Sequence, residues 1–267
     1  MRKTLKFIAG LNLASIIHGV RLGLCELIYA GLASFSAAYP FENQASLERR
    51  KVRAKLDLIP CVSIGDVLDR VLFEKRNSLR LELIRYEDGK LPIHDALALL
   101  AVLVAESPKE VLEIGTFMGH TTKAMADNLP NAVIHTVDLP PDFSEIEQPD
   151  NNMPKDDFHL IHRRVVGREF KGKEVELHIK QHFGDTAKMN FQEFGKPTFF
   201  FIDGSHTYEY CKQDSENCYA LCDGAGTFFW HDCDEGHPGV VQFISEWRAT
   251  GRNICRIAGT SLAYWKG

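Results

Sequence analysis

The chain has 267 residues, 45% of them hydrophobic and 25% charged, with a formal net charge of −5. That length suits one substantial domain with an appendage, and the composition is that of a globular protein able to bury a core. The mild acidity argues against nucleic acid as a main partner, because affinity for phosphate backbones rests on clustered Lys and Arg.

Residues 1–41 are an apolar lead. Met1 to Lys6 is basic and Phe7 to Ile17 mostly apolar, in the manner of a secretory signal. Arg21 and Glu26 interrupt the pattern, however, and no uncharged run reaches the ~20 residues that span a bilayer as a helix. Three readings stay open: a helix packed on the domain or on a partner chain, a membrane-surface helix, or a cleaved signal. The expectation is an uncleaved appendage of a cytoplasmic protein, governing peripheral membrane contact or homo-oligomer formation. Residues 42–80 carry charged helical patterns, in which Arg49, Arg50, Lys51, Arg53 and Lys55 read as a solvated helix face. The expected division is a 1–80 appendage and an 81–267 domain.

Ile93, Leu97, Leu100 and Val104 fall on one helical face, and Pro108 closes that helix. Strands and helices then alternate, the signature of a parallel sheet with crossovers. Strands are expected at Val111–Ile114, Ala132–Val137, Val175–Lys180, Pro197–Ile202 and Thr227–Trp230. Asn253–Ile257 and Leu262–Trp265 form a final antiparallel pair. Thr207–Leu221 reads as a helix stopped by Gly224. Pro140 to Lys173 is long, polar and proline-bearing, the form of a lid. The seven cysteines contain no C-x-x-C pair, so reduced thiols fit better than zinc.

The strand Val111–Ile114 runs through Glu113 into Gly115-Thr116-Phe117-Met118-Gly119 and then a helix. Gly115 and Gly119 let backbone approach a ligand. The next strand ends on Asp138, where a carboxylate can accept hydrogen bonds from ribose hydroxyls. A dinucleotide site wants G-x-G-x-x-G facing a pyrophosphate. Here one glycine is missing and a carboxylate stands at Glu113, which suits a ligand bearing an ammonium group. A nicotinamide-dependent oxidoreductase and a catalytically silent nucleoside-binding protein are the rival readings.

Asp203 ends the fourth strand and Asp232 follows the fifth, so both point at one sheet edge. Two carboxylates aimed at one place call for a cation, and Mg²⁺ takes oxygen ligands while keeping waters. His206, three residues past Asp203, has a reference pKa near ~6.5 and suits a general base. Taken alone, His231 and His237 read as satisfied loop histidines.

The turn after the first strand resembles motif I of the class I S-adenosylmethionine-dependent methyltransferases. The segments EIGTFMGHTT, TVDLP, FIDGSHTYEYCKQD and GAGTFFWHDC, in this order, resemble the small metal-dependent O-methyltransferases of methyltransferase family 24. The resemblance covers roughly 81–267. It implies a Rossmann-like seven-stranded sheet, mostly parallel with an antiparallel edge strand. It implies S-adenosylmethionine held by Glu113, Gly115, Thr116, Gly119, Asp138, Asp185, Thr186 and Asp203. It implies a divalent metal, Mg²⁺ in type, on Asp203 and Asp232, with His231 standing where some relatives carry an acid. It implies His206 as the base and a small-molecule or sugar hydroxyl as acceptor.

Overall fold

The computed structural model describes residues 44–70, 79–80, 90–141 and 164–267. The apolar lead, the expected domain start at Leu81 and most of the expected lid lie outside them. The chain divides into two compact units, Met1–Ala54 and Lys55–Gly267. Helix α1 (Gln44–Leu58) contains that division, and Arg49, Arg50 and Arg53 on it are exposed.

The second unit holds β1 (Cys61–Val62), α2 (Ile64–Arg70), α3 (Ile93–Glu106), β2 (Glu110–Ile114), α4 (His120–Asn128) and β3 (Val133–Asp138). It continues through β4 (Ile179–Phe183), β5 (Phe199–Ile202), α5 (Tyr208–Leu221), β6 (Thr227–Trp230), α6 (Pro238–Ala249), β7 (Cys255–Ile257) and β8 (Ala263–Lys266). The eight strands form one sheet in the order β1-β7-β8-β6-β5-β2-β3-β4. All neighbours pair in parallel except β8, which runs antiparallel to both β6 and β7.

This is the expected Rossmann-like sheet of seven strands with one antiparallel strand, extended by the two-residue β1. The sequence reading gave residues 61–62 to the appendage. They lie instead in the sheet beside β7, with Cys61 opposite Arg256. So short a segment carries no alternation from which its pairing can be read.

The order reverses between β2 and β5, because β3 and β4 follow β2 to one side while β5 and β6 lie to the other. Ligands of open α/β sheets bind at such a reversal, outside the carboxyl ends of the strands. The register brings those ends level: Ile114 pairs with Ile202 and Val137, and Ile202 with Trp230. Gly115, Asp138, Asp203 and His231 each follow or end a strand along one line.

The two central strands, Phe199-Phe200-Phe201 and Phe228-Phe229-Trp230, are fully buried, as parallel strands covered on both faces must be. Phe200 stacks on its register partner Phe228 at 4.6 Å, and Phe199 stacks diagonally on Phe229 at 5.5 Å. Such contacts make this edge a rigid platform.

Helix α3 covers one face of the sheet, but with a different stripe from the expected one. Ala96, Leu99, Leu100 and Leu103 are buried while Ile93 and Leu97 are exposed. The helix is apolar almost all round, so periodicity alone does not choose its inner side. Strand β4 also begins later than expected, at Ile179, behind a 3-10 turn over Glu174–His178. Val175, Leu177 and Ile179 alternate like a strand, yet Leu177 is exposed and pairing with β3 starts only at Ile179.

Candidate active site

Glycine at 115 is required by the protein's own backbone. Its φ is +103°, and a Cβ there would stand 1.9 Å from the carbonyl oxygen of Asp203. Gly119, with φ +85°, is pressed in the same way by the ring of Phe170, 2.6 Å from where its Cβ would be. These glycines are thus demanded by packing within the protein, whatever they also allow a ligand. They let β2, β5 and the 164–170 segment close on one another and so shape the turn.

Glu113 also takes a different place from the expected one beside a ligand. It is fully buried behind the turn, where Oε2 accepts hydrogen bonds from the hydroxyls of Thr122 and Thr136, the latter at 2.6 Å. Burial outweighs those hydrogen bonds and pushes its pKa up to about 8. Thr116 joins the same interior network, 2.6 Å from the Thr136 hydroxyl and 3.0 Å from Gln181 Nε2. Neither side chain offers an open ligand contact. Their part is to fix the turn from beneath.

Asp138 lies at the edge as expected. Its Oδ2 accepts from the Phe117 amide at 2.6 Å, and its Oδ1 from the Leu139 amide at 2.7 Å and from Arg164 at 2.6 Å. Burial raises its pKa, opposed by the Arg164 charge and the two amides. Asp185 follows β4, held by Tyr210 at 3.1 Å, the Ala187 amide at 3.0 Å and Lys188 at 2.9 Å. Thr186 beside it is buried. The Gly184 amide donates to the Asp138 carbonyl at 2.9 Å, which ties the 184–186 turn to that edge.

Across the reversal, the ends of β5 and β6 converge. His231 Nδ1 lies 3.0 Å from Asp203 Oδ1 and 3.0 Å from Asp232 Oδ2. His206 Nε2 lies 2.7 Å from Asp232 Oδ2. His231 Nε2 faces Asp95 Oδ2 at 3.2 Å. Burial disfavours a charged His231, but Asp203, Asp232 and Asp95 outweigh it and hold its pKa well above the ordinary imidazole value. Burial likewise opposes ionisation of Asp232, yet hydrogen bonds from His206 and His231 hold its carboxyl well below the usual range. Asp232 has φ +57°, a left-handed backbone that a non-glycine residue adopts at a cost. Asp203, His206, His231 and Asp232 thus stand together, while Asp138, Asp185 and Thr186 line the other side of the reversal.

Asp95, Arg164 and the neighbourhood of His237 were not singled out from the sequence. Asp95 is the one carboxylate inside the apolar run of α3, and it is buried. A charge in that setting was the available signal, since buried carboxylates need partners. Arg164 carried none, because nothing local ties it to Asp138. Of the described cysteines, Cys61 is exposed, Cys222 half-buried and the other four buried, and burial pushes the Cys233 thiol up to about 12. No cysteine pairs with another among the described residues.

Residues 112–233 match the methyltransferase-domain model of methyltransferase family 24. The matched stretch runs from within β2 to the residue after Asp232, so both halves of the candidate site fall within it. Methyltransferase PaMTH1 of Podospora anserina, solved with S-adenosylhomocysteine bound, is similar in fold: TM-score 0.51 at 16% identity, over 76% of this chain and 96% of that one. An O-methyltransferase from Bacillus cereus, also solved with S-adenosylhomocysteine, gives TM-score 0.48 at 14% identity over 79% and 93%. The O-methyltransferase TomG of Streptomyces achromogenes, involved in tomaymycin synthesis and solved with S-adenosylmethionine, gives 0.46 at 14% identity over 89% and 96%. Among the described residues, no helix is long and apolar enough to cross a membrane.

Proposed function

We propose that this protein transfers a methyl group from S-adenosylmethionine to a hydroxyl of a small molecule or sugar, in the cytoplasm, with His206 as general base. The observation that carries this reading is the contact of His206 Nε2 with Asp232 Oδ2, 2.7 Å, inside a methyltransferase domain and at the sheet edge where ligands bind. With Nε2–H donating to Asp232, Nδ1 is the ring atom assigned to take the acceptor proton. Asp232 orients the ring and favours the imidazolium that forms, as the carboxylate does in a His–Asp pair.

The cofactor's ribose is assigned to Asp138, whose oxygens still have acceptor capacity beyond the Phe117, Leu139 and Arg164 hydrogen bonds. The 184–186 turn, tied to Asp138, is assigned to the adenine side. The protein's main contribution is then orientation of donor and acceptor on a rigid edge, worth up to ~7–11 kcal/mol in well-ordered cases.

The donor set Asp203 Oδ1, His231 Nδ1 and Asp232 Oδ2 fits a divalent ion, since its atoms lie within 4.8 Å of one another. Asp95 behind His231 matches the carboxylate that commonly orients a ligating imidazole. Two carboxylates with waters and substrate oxygens suit Mg²⁺. Bound there, such an ion would lower the pKa of the acceptor hydroxyl.

The test is incubation of the purified protein with S-adenosylmethionine and panels of phenolic, sugar and polyketide hydroxyl acceptors, read by mass spectrometry. A methylated product formed by the wild type and lost in Asp232→Asn supports the reading. Methyl transfer that is as fast in Asp232→Asn overturns the roles given to the β5 and β6 ends.

A further inference from the structure

Asp232 faces two groups of donors. On one side stand Asp203 and His231, used above. On the other stand His206 and His237, and the three ligand atoms of His206, Asp232 and His237 also lie within 4.8 Å of one another. His237 Nδ1 is 3.5 Å from Asp232 Oδ1, and the His206 and His237 rings are 4.5 Å apart between centroids. The side chains of His206, Asp232 and His237 are 22%, 14% and 31% exposed, so an ion can reach them and keep open positions for water.

This second group is built by the fold. His237 stands at the N-cap position of α6 without a side-chain capping bond, and Pro238 opens that helix. Gly239, in its first turn, lies so close to the start of α5 that a Cβ would meet the His206 carbonyl oxygen at 2.5 Å and the Tyr208 amide at 2.6 Å. Any larger residue would push α6, and His237 with it, away from His206. Asp234 Oδ1, 3.0 Å from His237 Nδ1, fixes the second ring. The left-handed backbone of Asp232 presents its carboxylate between the two imidazoles.

Two imidazoles and one carboxylate are a more nitrogen-rich donor set than the two carboxylates and one imidazole of Asp203, Asp232 and His231. Imidazole suits zinc, iron, cobalt and nickel, whereas Mg²⁺ prefers oxygen throughout. Three protein ligands with open positions are also the arrangement of catalytic zinc centres and of the two-histidine-one-carboxylate iron sites. We propose that His206, Asp232 and His237 form a second cation site, for a nitrogen-accepting divalent ion, and that filling it withdraws His206 from proton transfer. Asp232 Oδ2 faces both His206 and His231, so an ion held here also draws that oxygen from the first set. The inhibitory consequence rests on His206 being the base; the binding does not.

The experiment uses the full chain and Co²⁺ as probe, followed by calorimetry and by its visible absorption, with Zn²⁺ as competitor. His237→Ala and His206→Ala are each expected to weaken Co²⁺ binding at least ~10-fold, while Asp203→Asn leaves it within about twofold. Unaltered S-adenosylhomocysteine affinity and circular dichroism in His237→Ala confirm that the fold persists, with His237→Gln as a second variant. Zn²⁺ is expected to inhibit methyl transfer by the wild type and to spare His237→Ala. Absence of Co²⁺ binding, or equal binding by wild type and His237→Ala, overturns the site. Binding lost in Asp203→Asn but kept in His237→Ala assigns the ion to the other set and overturns it too. Because the Co²⁺ readout needs no acceptor, failure of the methyl-transfer reading leaves this outcome legible on its own.

Discussion

Asp95 and His231 stand 136 residues apart in sequence and 3.2 Å apart in the fold, carboxylate Oδ2 to imidazole Nε2. The same oxygen accepts the Ser261 amide at 3.1 Å. One buried side chain of α3 therefore holds both the end of β6 and the approach to β8. Asp95→Ala leaves a buried histidine facing Asp203 and Asp232 without its far partner, a loss of the kind that costs about 3–5 kcal/mol. Asp95→Asn keeps an acceptor oxygen and is expected to cost less. Urea unfolding of the two variants checks this, and equal stabilities would remove Asp95 from the support of His231.

Glu113 makes the domain's stability fall as pH rises between 4.5 and about 8. Its pKa rises from 4.5 to about 8 on folding, because burial disfavours the charged form. A carboxyl with a raised folded pKa contributes fully below its unfolded value and loses that contribution as pH rises through 8. Glu113→Gln keeps an acceptor for Thr122 and Thr136 but cannot ionise. Melting temperatures across about pH 6 to 9 are expected to fall less in Glu113→Gln than in the wild type. Parallel curves would show that Glu113 ionises without cost.

The stacked pair His135 and His182 has the opposite sign. Their rings are 5.3 Å apart and their Nδ1 and Nε2 atoms 3.1 Å apart. Burial first, then the neighbouring His182 and Lys180 charges, lower the pKa of His135 from 6.5 to about 4. Burial also lowers that of His182. The folded state thus favours neutral rings, and this stability is complete above 6.5 and lost as pH falls toward 4. His135→Phe is expected to lose less stability than the wild type between about pH 7 and 5, read by thermal unfolding. An equal loss would place the acid sensitivity elsewhere.

His206→Ala is expected to keep cofactor binding and lose roughly 10²–10⁴ in methyl-transfer rate, the usual worth of a general base. The residual rate should rise with pH as the acceptor ionises unaided. Single-turnover rates over a pH series check this. A variant that retains wild-type turnover has lost no base.

The parts of the fold legible in the sequence were those carried by local pattern. Thr227–Trp230 came out residue for residue, because a short apolar run bounded by Gly226 and His231 has one reading. Asp138, Asp203 and Asp232 were placed at one edge because strand ends in a parallel sheet share a side. The inner face of α3 was not legible, since a helix apolar on every side carries no preferred stripe. Contacts across long separations were hidden for a different reason. Arg164 with Asp138, Asp95 with His231 and His237 with His206 arise from how elements close on one another, and Gly115 and Gly239 record that closure only once the backbone is known.

The central claim is that the reversal between β2 and β5 holds S-adenosylmethionine through Asp138. Calorimetric titration with S-adenosylhomocysteine, beside NADH as control, tests it most directly. The wild type should bind one S-adenosylhomocysteine and no NADH. Asp138→Ala should bind it at least tenfold more weakly, as loss of a charge-assisted hydrogen bond worth roughly 1.5–3 kcal/mol implies. An unchanged dissociation constant in folded Asp138→Ala, or binding of NADH in place of S-adenosylhomocysteine, would contradict the account.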